Sequence, residues 1–346
     1  MNGPRMNGSG ANEGSTGGNR SWRRPGPVRG QRGVALITVL LVVVIATLLG
    51  TSMSTAQNLA IHRARNYLDQ AQLRQYVVGG EELARQILFE DFAEAPTKDH
   101  LLEVWASQEL NYEYEDGEIS LRIIDLQSRL NLNNLMIGGL QRERFTRLLS
   151  QLGVDAVFVD RIADWSDADQ NTSNLGAEDY EYLGLERPYR TADQGFQDVS
   201  ELRMVLDMDT ESFARLEPYV TALPTTNVPL NVNTADFVML QVLAPQINGE
   251  AVANALEQRV AVEGFNAVPE LFAAMGTPPR TSTEGLGVQS GFFEINVTAR
   301  YQDRFGYLRS VVQRNPADGG LRVLSRTFTR ALPPLTTDVE QDVEDE

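Results

Sequence analysis

Apolar residues follow three different rhythms along this chain. From Val34 to Leu49 no charged residue occurs, and the polar side chains are Thr38 and Thr47. This run of 17 residues, Val34 to Gly50, is at the short end of what crosses a hydrocarbon core, about 17–25 residues. The small, weakly polar residues through Thr55 extend it slightly. A lone segment in lipid satisfies its own backbone only as a helix. Beyond it, Leu59, Leu73, Tyr76, Val77, Gly80, Leu83, Ala84, Ile87 and Leu88 recur at steps of three and four, with charged residues between them. That is the apolar stripe of a long helix, closed by Pro96. From Val34 to Ala93 it would measure about 90 Å. The alternative is two helices broken near Gly50-Thr51 or Gly79-Gly80.

The rhythm then becomes two-residue alternation. Leu110–Tyr114 and Glu118–Ile124 flank Asp116-Gly117, which predicts a β-hairpin. No further strand is expected until Phe292. There Phe292–Tyr301, Phe305–Gln313 and Leu321–Thr329 alternate, with turns at Asp303 to Gly306 and Asp318-Gly319-Gly320, and predict an antiparallel meander. Residues 126–285 are mostly helical and contain an echo. Leu130-Asn-Leu-Asn-Asn134 returns as Leu230-Asn-Val-Asn-Thr234, each followed by two helical stretches. The first pair is expected at Phe145–Leu152 and Asp155–Trp165, the second at Ala235–Leu243 and Glu250–Val262. Asn133, Asn134, Asn233 and Thr234 are expected as helix N-caps.

The economical fold is α+β. A long N-terminal helix (34–96, its membrane half 34–54) packs on an antiparallel sheet (97–125 and 286–331). A helical domain (126–285) is inserted into that sheet. Residues 1–33 form a Gly-, Asn- and Arg-rich leader, expected to be disordered, and 332–346 an acidic, disordered tail.

Charge orients the chain. The leader carries six arginines against Glu13, a balance of +5, whereas the whole chain is −17, which leaves −22 for the remainder. Positive charge stays on the cytoplasmic side, so the acidic bulk is exported. The apolar run is longer than a signal-peptide core, and no clean A-x-A site follows it. An uncleaved anchor and cleavage at Gly33 both remain open. The absence of cysteine removes disulfide and thiolate chemistry, and two histidines, His62 and His100, leave little for a His-based centre. An acidic balance argues against nucleic acid, which requires a basic footprint.

One stretch carries candidate chemistry, Asp164-Trp-Ser-Asp167-Ala-Asp169, continuing to Glu178-Asp179. Counted from Asp167, the residues Asp167, Asp169, Asn171, Ser173 and Glu178 have the 1, 3, 5, 7, 12 spacing of a calcium loop. Thr172 stands where the loop glycine belongs, so the EF-hand match is poor. Clustered carboxylates repel unless a cation joins them, and hard oxygen ligands favour calcium. A solvated acidic loop whose aspartates cap helices is the alternative.

Around Arg32-Gly33-Val34 the chain resembles type IV pilin and pseudopilin precursors. The resemblance implies cleavage by a prepilin peptidase between Gly33 and Val34, methylation of the new terminus, and Thr38 at the fifth mature position, where most members have Glu. The Asp164–Asp169, Gly176–Tyr180 and Leu185–Arg190 motifs, together with Thr38, resemble the K-type minor pseudopilins of type II secretion systems. This likeness extends from Arg32 to about Arg330. It implies a non-enzymatic inner-membrane subunit with its head in the periplasm. It also implies partners among the I- and J-type minor pseudopilins, the pseudopilus and the inner-membrane assembly platform. Calcium would be held by Asp164, Asp167, Asp169, Glu178 and Asp179. Two other readings compete: a membrane-tethered DNA receptor built on helix-hairpin-helix units, and an anchored hydrolase using paired carboxylates.

Overall fold

In a computed structural model the described residues are 32–114, 117–278 and 281–332. The leader up to residue 31, the turn residues Glu115 and Asp116, and the tail from Pro333 lie outside them. The observed fold is the expected α+β arrangement. Helix α1 runs unbroken over Arg32–Glu94. Residues up to Arg65 and from Asn66 onward form separate compact units.

In the first unit, every side chain from Val34 is exposed. The helix still satisfies its own polar groups. The hydroxyls of Thr38, Thr47, Thr51 and Thr55 each donate to a carbonyl three or four residues back, at 2.9–3.0 Å. A lipid-facing helix needs this, because hydrocarbon offers no alternative partner. Among the described residues, this is the one helix long and apolar enough to cross a membrane.

In the second unit α1 becomes the spine of a five-stranded antiparallel sheet. Its strands are β1 (Leu110–Tyr114), β2 (Gly117–Asp125), β7 (Phe292–Tyr301), β8 (Arg304–Arg314) and β9 (Leu321–Thr329), in that spatial order. The expected pairing of the hairpin with the meander is present, with Ile119 opposite Ala299 and Ile123 opposite Ile295. The stripe residues Leu73, Val77, Ala84 and Leu88 pack on Ile119, Leu121, Ile123, Ile295, Val297, Leu308 and Val312. Gly80 lets helix and sheet meet, since a Cβ there would lie 2.6 Å from Val297 Cγ1. Leu59, expected in the same stripe, is 48% exposed and lies in the first unit. The meander turns earlier than expected, at Gln302-Asp303, with Gln302 taking φ 52°.

Between β2 and β7 lies the helical insert, and the sequence echo proves structural. Each copy starts with a two-residue strand, β3 (Leu130–Asn131) or β5 (Leu230–Asn231). The first copy continues with α2 (Leu140–Leu152), α3 (Val157–Ser166), the short α4 (Asp179–Leu183) and α5 (Thr210–Leu216). The second has α6 (Phe237–Gln241), α7 (Gly249–Ala261) and α8 (Val268–Ala274). Each closes with a second short strand running parallel to its first, β4 (Val220–Thr221) against β3 and β6 (Leu286–Gly287) against β5. These four strands are too short for alternation to reveal. One continuous core serves both copies, from Phe145, Leu148, Ile162 and Phe196 in the first to Leu240, Val252, Leu271 and Phe272 in the second.

The repeated asparagines do not cap helices as expected. Asn133 is buried and grips Phe196 at both ends of its backbone. Its Oδ1 accepts from Phe196 N at 2.7 Å, and its Nδ2 donates to Phe196 O at 2.9 Å and Leu223 O at 2.7 Å. Asn233 does the same to Phe265, with 2.8 Å and 2.9 Å contacts. Asn134 holds Val228 from both sides, and Thr234 donates to Asp125. The caps come instead from Asn131 at a 3-10 turn, Asp236 at α6 and Asn248 at α7. A side-chain amide carries a donor and an acceptor, so it can replace a missing strand partner for a buried peptide.

Candidate metal centre

The acidic stretch begins where α3 ends. Asp164 projects from the last turn of that helix and is fully buried; Asp167 sits one residue past its end. The chain then loops outward and returns so that buried Glu178 precedes α4. Carboxylate oxygens of Asp164, Asp167 and Glu178 come within 4.8 Å of one another. Ligands on opposite sides of one calcium ion lie about 5 Å apart, given calcium–oxygen distances of about 2.3–2.6 Å. The loop is pinned from inside, because Asp164 Oδ2 accepts from Ser173 N at 2.9 Å and Asp160 Oδ2 from Leu175 N at 3.2 Å. Gly176 makes room for this, since a Cβ there would fall 1.8 Å from Asp164 Oδ2.

Three buried oxygens in this group have no hydrogen bond: Asp164 Oδ1 and both carboxylate oxygens of Glu178. Burial, then the charges of Asp164, Asp167, Asp193 and Asp169, push the Glu178 carboxyl up to about 7. Asp167 is raised too, first by burial and then by Asp169 and Asp164, against a hydrogen bond from Asp169 N. Buried, unpaired and mutually repelling oxygens are what a hard cation relieves. The residues therefore fit a calcium ion.

Not every expected ligand faces that point. Asp169 is exposed and accepts from Asn171 N at 2.8 Å. Asp179 pairs with Arg190 at 2.7 Å and accepts from Thr191 N and Oγ1. It ties the returning chain down beside the cluster. Asp193, which spacing did not single out, lies near enough for its charge to raise Glu178, at a left-handed φ of 49°. It follows no recognisable ligand period, so only the folded chain brings it in. Behind the loop Trp165, Tyr182 and Tyr189 form an aromatic wall, with ring centroids 5.3–6.3 Å apart. Gly33, Val34 and Thr38, expected at a processing site, lie in the opening turns of α1.

An apolar N-terminal helix whose second half is the spine of an antiparallel sheet, with a helical insert between strands, defines a pilin-like subunit. Residues 128–225 match the family model described as type II secretion system (T2SS), protein K. The chain is 37% identical to type II secretion system protein K of Pseudomonas aeruginosa, over 89% of this chain and 96% of that protein. It is 32% identical to the protein of that name from Klebsiella pneumoniae, over 79% and 91%. The crystal structure of the GspK-GspI-GspJ complex from the enterotoxigenic Escherichia coli type 2 secretion system contains a similar chain. The TM-score is 0.68 at 26% identity, covering 78% of this chain and all of that one. This chain belongs to the type II secretion system protein K family, and is a minor pseudopilin.

Proposed function

We propose that this chain is the tip-proximal minor pseudopilin of its secretion filament, a structural subunit without enzymatic activity. In this reading prepilin peptidase removes the leader between Gly33 and Val34 and methylates the new terminus. The helix stays in the inner membrane while the head occupies the periplasm and joins I- and J-type subunits, as in the similar Escherichia coli complex. The observation that carries the tip position is Thr38. Its hydroxyl is satisfied by Ala35 O at 2.9 Å within its own helix. A carboxylate at that place would require a partner in lipid; Thr38 requires none, so the subunit can start a filament with no neighbour ahead of it.

Calcium belongs to the same reading. Asp164, Asp167 and Glu178 would hold the ion, with Asp179 and Asp193 supporting the loop. The ion would supply charge neutralisation and stiffness, not chemistry. The arginines of the helical repeat favour this over nucleic-acid binding. Arg144 donates to Glu284 O at 2.6 Å and Arg147 to Val242 O at 2.7 Å, so both join the two copies together.

Mass spectrometry of the membrane-extracted protein tests the proposal. The expected product begins at a methylated Val34 and co-purifies with I- and J-type subunits, and Gly33→Val retains the leader. A native chain starting at Met1 that never associates with those subunits would refute it.

A further inference from the structure

A second group of acids lies away from the acidic loop. Asp91 stands on the last turn of α1, and Asp99 and Glu103 on the segment that follows it. Their carboxylate oxygens also come within 4.8 Å of one another. The side chains are 11%, 1% and 9% exposed respectively.

Arg314, from β8, is the cation already present. Its Nη2 donates to Asp99 Oδ1 and Oδ2 at 2.5 and 2.6 Å and to Ser290 O at 2.7 Å. The guanidinium is fixed between the rings of Phe92 and Phe293, 5.1 and 4.9 Å from their centroids. It cannot satisfy the whole group. Its Nη1 stops 3.7 Å from Asp91 Oδ2, too long for a hydrogen bond. Asp91 Oδ2 and Glu103 Oε1 are both buried without a hydrogen-bond partner. Glu103 uses its other oxygen, which accepts from Trp105 Nε1 at 2.7 Å and His100 N at 3.0 Å. His100 Nε2 is 3.5 Å from Glu103 Oε1.

Three carboxyl groups meet one guanidinium in a nearly closed space, and two of their buried oxygens have no hydrogen-bond partner. We propose that Asp91, Asp99 and Glu103 bind a hard divalent cation of the calcium, magnesium or manganese class. One such ion takes up the orphaned oxygens. It would fasten the end of α1 to the segment that carries Asp99 and Glu103, which displays Leu101, Leu102 and Val104 to solvent.

The test uses the full chain in detergent, stripped with chelator, on an Asp164→Asn, Glu178→Gln background that disables the acidic loop. Failure of the loop reading therefore leaves this result untouched. Manganese is titrated and followed by electron paramagnetic resonance. One ion per chain is expected. Even outer-shell partners of a metal are typically worth tenfold or more in affinity. Adding Asp91→Asn and Glu103→Gln should therefore weaken binding at least about tenfold. With Trp22→Phe and Trp165→Phe, the bound manganese should also quench Trp105, whose indole donates to Glu103. No stoichiometric manganese on the loop-disabled chain overturns the inference. So does binding that leaves Trp105 unquenched. If the Asp91→Asn, Glu103→Gln chain fails to fold, the quenching on its parent decides the matter.

Discussion

The two copies of the helical repeat differ in one respect that bears on function. In each, an asparagine reaches forward to clamp a phenylalanine peptide, Asn133 to Phe196 and Asn233 to Phe265. The span is 63 residues in the first copy and 32 in the second, so the first holds 31 more. Both clamped phenylalanines lead into a turn fixed by a glutamate five residues on, Gln197 N donating to Glu201 and Asn266 N to Glu270. The second copy crosses from α7 to its phenylalanine by a tight turn through Glu263 and Gly264, both at positive φ. The first crosses by way of the acidic loop and α4. The fold of the repeat does not need that detour. The added segment gathers carboxylates, and the copy without it gathers none, so the extra length is the part suited to a ligand.

The largest expected effect comes from breaking what the copies share. Asn133→Leu leaves Phe196 N–H, Phe196 C=O and Leu223 C=O buried and unpaired. Each such group costs about 1–3 kcal/mol, so urea unfolding should show a loss of roughly 3–5 kcal/mol. Asn233→Leu strands two groups at Phe265 and should lose less. Equal losses would mean that the clamps do not determine the closure of each copy.

Next in size is the chelator response of the acidic loop, which of the two copies only the first should show. An ion at about a hundred times its dissociation constant stabilises by about 2.7 kcal/mol. For a head of this size that corresponds to about 5–10 °C in Tm. On an Asp91→Asn, Glu103→Gln background, Glu178→Gln should abolish the response, and in metal-free protein it should raise Tm by removing a repelling carboxylate. Gly176→Ala should abolish calcium binding by the loop too, because its methyl displaces Asp164. A chelator effect that survives all three substitutions would move the loop ion elsewhere.

Legibility in the sequence followed physical range. The helix stripe and the strands of the sheet have periods that extend over many residues, so α1, the hairpin and the meander could be read directly. The Leu-Asn-x-Asn echo was visible, but its meaning was not. An asparagine near a helix start reads as a cap, whereas Asn133 and Asn233 bond to residues far along the chain. A second echo would have given the clue, Phe196-Gln-Asp-Val-Ser-Glu201 against Phe265-Asn-Ala-Val-Pro-Glu270. Within the loop, spacing named Asp167 and Glu178 and the family resemblance added Asp164, and these three converge. It could not tell that Asp179 is occupied by Arg190 or that Asp193 approaches, because those facts depend on how the loop returns.

The last expected effect separates the copies by pH. At the start of the second copy Asn231 Nδ2 faces a carboxylate, Asp125 Oδ2, at 3.3 Å, whereas Asn131 Nδ2 faces a carbonyl, Thr225 O, at 2.8 Å. Asp125 is buried, and burial outweighs the hydrogen bonds from Ser290, Thr234 and Gln127 to raise its carboxyl to about 6. A folded-state pKa above the unfolded value of 3.8 favours the protonated form in the fold. Its contribution is therefore complete below about pH 4, is lost as pH rises through about 6, and is constant above. The loss should be at most roughly 3 kcal/mol, since one pKa unit corresponds to about 1.4 kcal/mol. Asp125→Asn should flatten that part of the curve. With chelator present, the difference in stability between wild type and Asp125→Asn isolates it from other buried acids. A wild-type chain that instead gains stability relative to the variant between pH 4 and 6 would show that Asp125 is held ionised by its four donors. The second copy would then be anchored by a buried charge where the first is anchored by neutral amides.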